Sequence, residues 1–190
     1  MNAIQVISIL KSGGVGVLPT DTLYGLVGSA MSPESVERLY TLRKRDTQKP
    51  MIILVSSLDD LNLFDIRLDE KIFNFLKTIW PAKISVVLPV PGEKFQYLHR
   101  GTQTLAFRVP DKDELRRLLE QTGPLCAPSA NFEGQKEATT IDEAKAYFGN
   151  QADFYIDEGP LQSQPSTLVT IVGDKIHVLR EGAQKVQTIF

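Results

Sequence analysis

Residues 104–120, TLAFRVPDKDELRRLLE, change their hydrophobic period partway along. In TLAFRV, alternation places Leu105, Phe107 and Val109 on one face and Thr104, Ala106 and Arg108 on the other, which predicts a strand. The four-residue step from Leu115 to Leu119 predicts a helix just beyond it. The same interleaving extends outward in both directions. Helical spacing recurs over Ile4–Leu10, Val36–Arg43 and Ile72–Ile79, while GVGVLP, MIILVS, ISVVLPV, FYI, TLVTIV and KIHVLR read as strands. Helices alternating with strands predict an α/β or α+β sheet domain.

At 190 residues and 42% hydrophobic, the chain is long enough for one self-sufficient core, and a single domain over residues 1–190 is expected. Lys+Arg 21 against Asp+Glu 23 gives a net charge of −2, which argues against coating nucleic acid by bulk charge. An anion bound by this chain must be held locally. The single cysteine, Cys126, lies in the apolar run PLCAPS and reads as a strand-core thiol in a reducing compartment. Two histidines, His99 and His177, without a cysteine cluster, argue against a structural zinc site. MNAIQVISILKSGG lacks the basic start and sustained apolar run of a signal peptide, and no segment has the roughly 20 apolar residues that span a bilayer. A cytoplasmic protein without membrane contact is expected.

Ser32-Pro33-Glu34 is a helix start, with a capping hydroxyl, an early proline and an early acid. That helix is expected to bury Val36, Leu39 and Tyr40, and its spacing puts Arg43 on the same apolar face, where a cation needs a partner. Arg43 opens the basic stretch LRKRDTQKP (42–50), in which Lys44 is an ordinary helix-end charge. STLVTIVGDKIHVLRE (166–181) reads as a hairpin with a two-residue Gly173-Asp174 turn, pairing Thr167 with Arg180 and Ser166 with Glu181 and placing Arg180 beside Val169, Ile171, Ile176 and Val178. PTDTLYGL (19–26) clusters Thr20, Asp21, Thr22 and Tyr24 in what reads as a turn. No G-x-x-x-x-G-K-[ST] loop and no G-x-S-x-G elbow is present, and an extended segment would turn Ser129 and Asn131 the same way, toward a polar ligand.

Taken together, these motifs resemble the YrdC/TsaC family of threonylcarbamoyl-AMP synthases in its short, single-domain form. The resemblance rests on PTDTLYGL, LRKRDTQKP, LAFRVP, APSANFEG, PSTLV and LREG, in that order along nearly the whole chain. It implies an α/β fold with a strongly twisted mixed parallel/antiparallel sheet, flanking helices and a concave basic cavity. It further implies condensation of L-threonine, bicarbonate and ATP, with Mg²⁺, to threonylcarbamoyl-AMP and pyrophosphate. The product would pass to tRNA threonylcarbamoyl transfer machinery, with room for weak tRNA binding. By the same resemblance Arg43 and Arg45 serve catalysis. Arg43, Arg45, Lys49, Thr104, Ser129, Asn131 and Arg180 surround ATP; Thr20, Thr22, Tyr24, Arg108 and Ser166 hold threonine. The chain departs from the family pattern at Arg43 (lysine in the family), Asp46 (proline), Leu54, the WPAK segment, Glu133 (serine) and Thr170. A non-catalytic RNA-binding module and a nucleotide-binding paralogue without threonine chemistry are the alternatives.

Overall fold

The computed structural model describes residues 1–173 and 175–186. From the N-terminus, α1 (Ala3–Lys11) leads into a hairpin of β1 (Val15–Pro19) and β2 (Tyr24–Ser29), followed by α2 (Pro33–Arg43) and β3 (Ile52–Leu54). A 3-10 segment over Leu58–Phe64 precedes α3 (Glu70–Ile79), β4 (Ile84–Pro89), the single-turn α4 (Gln96–His99) and β5 (Thr104–Arg108). The chain continues through α5 (Asp113–Thr122), β6 (Leu125–Cys126), α6 (Ile141–Phe148), β7 (Phe154–Tyr155), β8 (Thr167–Val172) and β9 (Lys175–Arg180). One sheet runs through all of it, in the order β7-β1-β2-β6-β3-β5-β4-β8-β9. The pairs β1/β7, β3/β5 and β4/β8 are parallel and the others antiparallel, the mixed sheet with flanking helices that the sequence led us to expect.

Alternation along the central strands feeds two apolar layers. Val15, Val17, Tyr24, Leu26, Ile53 and Phe107 join a cluster with Val36, Leu39 and Tyr40 of α2 and with Ala144 and Phe148 of α6. Leu18, Val27, Leu54 and Leu125 point the other way and pack on Val6 and Leu10 of α1 and Leu115 and Leu119 of α5. A sheet covered on both faces explains why β1 is buried at every position and reads as a continuous apolar run. Cys126 sits in β6 between β2 and β3, fully buried, and desolvation pushes its thiol up to about 12. It is an inert core group.

The expected helices and strand runs all form. Sequence analysis missed β2, α4 and α6. In β2 the run YGLVGS is buried on both faces at its first five positions and carries two glycines, so it shows no alternation. Gly16 and Gly28 let neighbours close in: a Cβ on Gly16 would lie 2.4 Å from the Phe154 ring, and one on Gly28 2.9 Å from Val15. The segment PTDTLYGL is therefore a tight turn that continues directly into a central strand.

The C-terminal hairpin corrects the expected register. Val172 pairs with Lys175, Ile171 with Ile176 and Val169 with Val178, as a two-residue connection dictates, but Leu168 then pairs with Arg180 across a bulge. Thr167–Arg180 and Ser166–Glu181 are therefore not pairs. The extra residue matters because side chains alternate: unbroken pairing would leave Arg180 on the face of Val178, Ile176 and buried Val169. The bulge turns it to the face of Leu168.

Candidate active site

That face borders a cavity walled by the β1–β2 turn, the end of α2, β5, the loop after β6 and the start of β8. Four arginines line it: Arg43, Arg45, Arg108 and Arg180. Each is held differently.

At the β1–β2 turn, Thr20 organises the backbone. Its hydroxyl donates to Leu23 O (2.7 Å) and accepts from the N–H groups of Thr22 (3.1 Å) and Leu23 (3.2 Å). With that proton committed, the Thr22 hydroxyl is the donor in the 3.1 Å contact with Thr20 Oγ1 and an acceptor for Arg108 Nη2 at 3.5 Å. Asp21, between them, turns inward. Its Oδ2 accepts from the Asp111 N–H at 3.1 Å, and its Oδ1 lies 3.1 Å from Arg108 Nη2, with the two side chains 0% and 4% exposed. Burial depresses the Arg108 guanidinium and Asp21 opposes that shift, with Arg180 adding a smaller depression. Arg108 Nε is buried and has no hydrogen-bond partner among the described residues.

The end of α2 is built in another way. Ser32 caps the helix by accepting from the Ser35 N–H, and Lys44 ends it in the left-handed region at φ 51°. Lys44 Nζ lies 3.9 Å over the Phe132 ring, a cation–π contact added to its helix-end position. Arg43, on the buried face as its spacing required, donates Nε–H to Asn131 O (3.0 Å) and Nη2–H to Asn131 Oδ1 (3.1 Å) and Ser129 Oγ (3.3 Å). All three acceptors are neutral. Burial first, and Arg45 second, lower its pKa to about 10, still far above neutrality, so it remains a cation. Arg45 donates to Lys49 O (3.0 Å) and Pro50 O (2.9 Å), closing the loop beneath it.

At the third wall, Ser166 Oγ meets buried Ser85 Oγ at 2.9 Å, and Arg180 Nη2 donates to Ser166 O at 2.7 Å. Gly182 allows this approach: a Cβ there would stand 2.3 Å from Pro165 O and 2.6 Å from Thr167 N.

A family model described as "Telomere recombination", covering Sua5, YciO and YrdC, matches residues 8–182. The chain belongs to the Sua5/YciO/YrdC family. A "Threonylcarbamoyl-AMP synthase" of Pseudoalteromonas translucida is 32% identical over 177 residues, 90% of this chain and 93% of that protein. The crystal structure of Pyrococcus abyssi Sua5 complexed with L-threonine superposes with a TM-score of 0.85 at 26% identity, covering 95% of this chain and 54% of that one. Escherichia coli YciO gives 0.84 at 26% identity, covering 97% and 91%.

Of the residues expected from the Sua5/YciO/YrdC pattern, Thr20, Thr22, Tyr24, Arg43, Arg45, Arg108, Ser129, Ser166 and Arg180 line the one cavity. Lys49, Thr104 and Asn131 do not. Lys49 turns outward to Glu133 (3.2 Å) and Asp46 (3.7 Å). Thr104 starts β5, opposite Pro89, on the same face as Ala106 and Arg108 but outside the residues that line the cavity. Asn131 stands behind Arg43 and fixes it, while its Nδ2 donates to Phe132 O and Gln135 O. Tyr24 contributes a wall, but its hydroxyl donates to Gly159 O (2.8 Å) and accepts from the Glu158 N–H (3.0 Å), tethering the segment after β7.

Three groups were missed. Asp21 was read only as a turn residue; the cue was a buried-face arginine in need of a carboxylate. Glu133 accepts from the Asp46 N–H (2.6 Å) and Lys49, while its own N–H donates to Arg43 O (2.8 Å). It clamps the basic stretch to the Ser129–Asn131 loop. Glu137 lines the cavity, and no spacing in NFEGQKE marks it.

Proposed function

We propose that this chain is an L-threonylcarbamoyladenylate synthase, condensing L-threonine, bicarbonate or carbon dioxide, and ATP to threonylcarbamoyl-AMP and pyrophosphate. The observation that carries this is the pairing, in one cavity, of an arginine that makes no ion pair with a described carboxylate, Arg43, and an arginine held beside one, Arg108. Relatives spanning nearly their whole length bear the synthase name, and a structure of the same fold binds L-threonine.

The chemistry fits such a cavity. Threonine's amine attacks the carbon of bicarbonate with loss of water, giving a carbamate. The carbamate oxygen attacks the α-phosphorus of ATP, and pyrophosphate leaves. Both nucleophiles come from substrate, so the protein supplies position and charge stabilisation. Arg43 and Arg45, with Arg180, suit phosphate oxygens, and Ser129 adds a neutral hydroxyl. ATP enters as its magnesium complex. Arg108, which lines the cavity beside Thr22, suits the threonine carboxylate; Thr22 and Ser166 offer hydroxyls to its polar groups. The adenylate would then feed threonylcarbamoyl transfer to tRNA.

Incubation with ATP, threonine, Mg²⁺ and labelled bicarbonate is expected to release pyrophosphate and form a labelled adenylate that requires threonine. ATP binding without either product would identify a nucleotide-binding paralogue. Salt-sensitive RNA binding without ATP binding would identify an RNA module.

A further inference from the structure

Glu137 is an anomaly in a site for a polyanion. Among the described residues it is the only acid lining the cavity, where four arginines face the same space. It is partly exposed and makes no hydrogen bond or ion pair with any described residue. Its neighbour Glu133 is consumed by Asp46 and Lys49, and Glu143 by Thr139, whereas the Glu137 carboxylate is left free. It stands within electrostatic reach of Arg43 and of Arg180. A free carboxylate beside triphosphate oxygens raises the energy of bound ATP through like-charge repulsion, unless a cation lies between them.

We propose that Glu137 is the protein's ligand, direct or through one water, for the divalent cation that accompanies the phosphates of ATP. The assignment rests on the ATP-dependent function proposed above. Mg²⁺ in nucleotide sites characteristically takes one or two carboxylates and completes its octahedron with phosphate oxygens and water. No three His, Cys, Asp or Glu side chains converge among the described residues, and no second acid lines the cavity, which leaves positions for phosphate oxygens and water. Glu137, lining the same cavity as Arg43 and Arg180, can meet a cation there while both arginines hold phosphate oxygens.

Calorimetric binding of ATP to the full chain, with Mg²⁺ and with chelator, tests this against Glu137→Gln, which keeps shape and removes charge. Affinity for magnesium ATP should fall by about tenfold, while affinity for metal-free ATP should rise severalfold as the repulsion disappears. Manganese ATP offers a second readout. Broadening of Glu137-region resonances by the paramagnetic ion should appear in the parent and weaken in the variant. Equal changes in both forms of ATP, no change in either, or a loss confined to threonine binding would overturn the assignment. Failure of the unsubstituted chain to bind ATP in any form would instead overturn the proposed function, and the assignment with it.

Discussion

Arg43 and Arg108 are almost equally buried, at 4% and 3% exposure, yet their surroundings differ in sign. Arg108 has the Asp21 carboxylate at 3.1 Å; Arg43 has a carbonyl, an amide oxygen and a hydroxyl. A cation already balanced by a buried carboxylate adds no net charge to the cavity, which suits a ligand of no net charge such as a zwitterionic amino acid. Arg43 makes no ion pair with a described carboxylate, and although Glu133 and Glu137 partly offset burial and Arg45, it is left at an electrostatic disadvantage that a polyanion relieves. Neutral acceptors orient the Arg43 fork without spending its charge. The two halves of the cavity are thus matched to different ligands by what surrounds each arginine, and not by the arginines themselves.

The largest expected effect removes the compensation. Asp21→Ala leaves Arg108 as a lone buried charge and should lower the unfolding free energy by about 3–5 kcal/mol in a urea titration. An unchanged midpoint would mean that Arg108 does not depend on Asp21. Next, Arg43→Ala removes both the charge and the fork, and kcat/KM for ATP should drop by roughly 100-fold with KM for threonine little altered. A smaller effect comes from Gly182→Ala, whose Cβ meets the Pro165 carbonyl; displacement of the Ser166 wall should destabilise the fold by about 1–3 kcal/mol and weaken threonine use before ATP use.

The smallest effect concerns the clamp on the basic loop. The Asp46 N–H, followed by Lys49 and Arg45, holds the Glu133 carboxyl below the usual range. A folded-state pKa below the unfolded value means that the clamp's contribution is present above the unfolded pKa of about 4.3 and is lost as pH falls through the lower folded value. Amide exchange at Asp46 should therefore keep its protection from pH 7 to about pH 5, and Glu133→Gln should speed it by no more than about fivefold, as partly exposed ion pairs allow.

Periodicity exposed the alternating face of β5, the buried side of α2 and the misplaced cation at Arg43, because those features follow from local geometry. What stayed hidden depends on contacts distant in sequence. Asp21 reveals its role only when the turn meets the end of β5. Asn131 was expected to face ligand but is drawn behind Arg43, and Lys49 is drawn outward by Glu133. The bulge in the C-terminal hairpin is invisible to a two-residue turn rule, yet it alone decides which face Arg180 takes. The doubly buried β2 lacks alternation and so lacks a strand signal of its own.

The division between the two arginines is tested most directly by crosswise calorimetry of ATP and threonine on Arg43→Ala and Arg108→Lys. Arg43→Ala should lose about tenfold or more in ATP affinity while keeping threonine within about twofold, and Arg108→Lys should show the reverse. Equal losses of both ligands in both variants would contradict it.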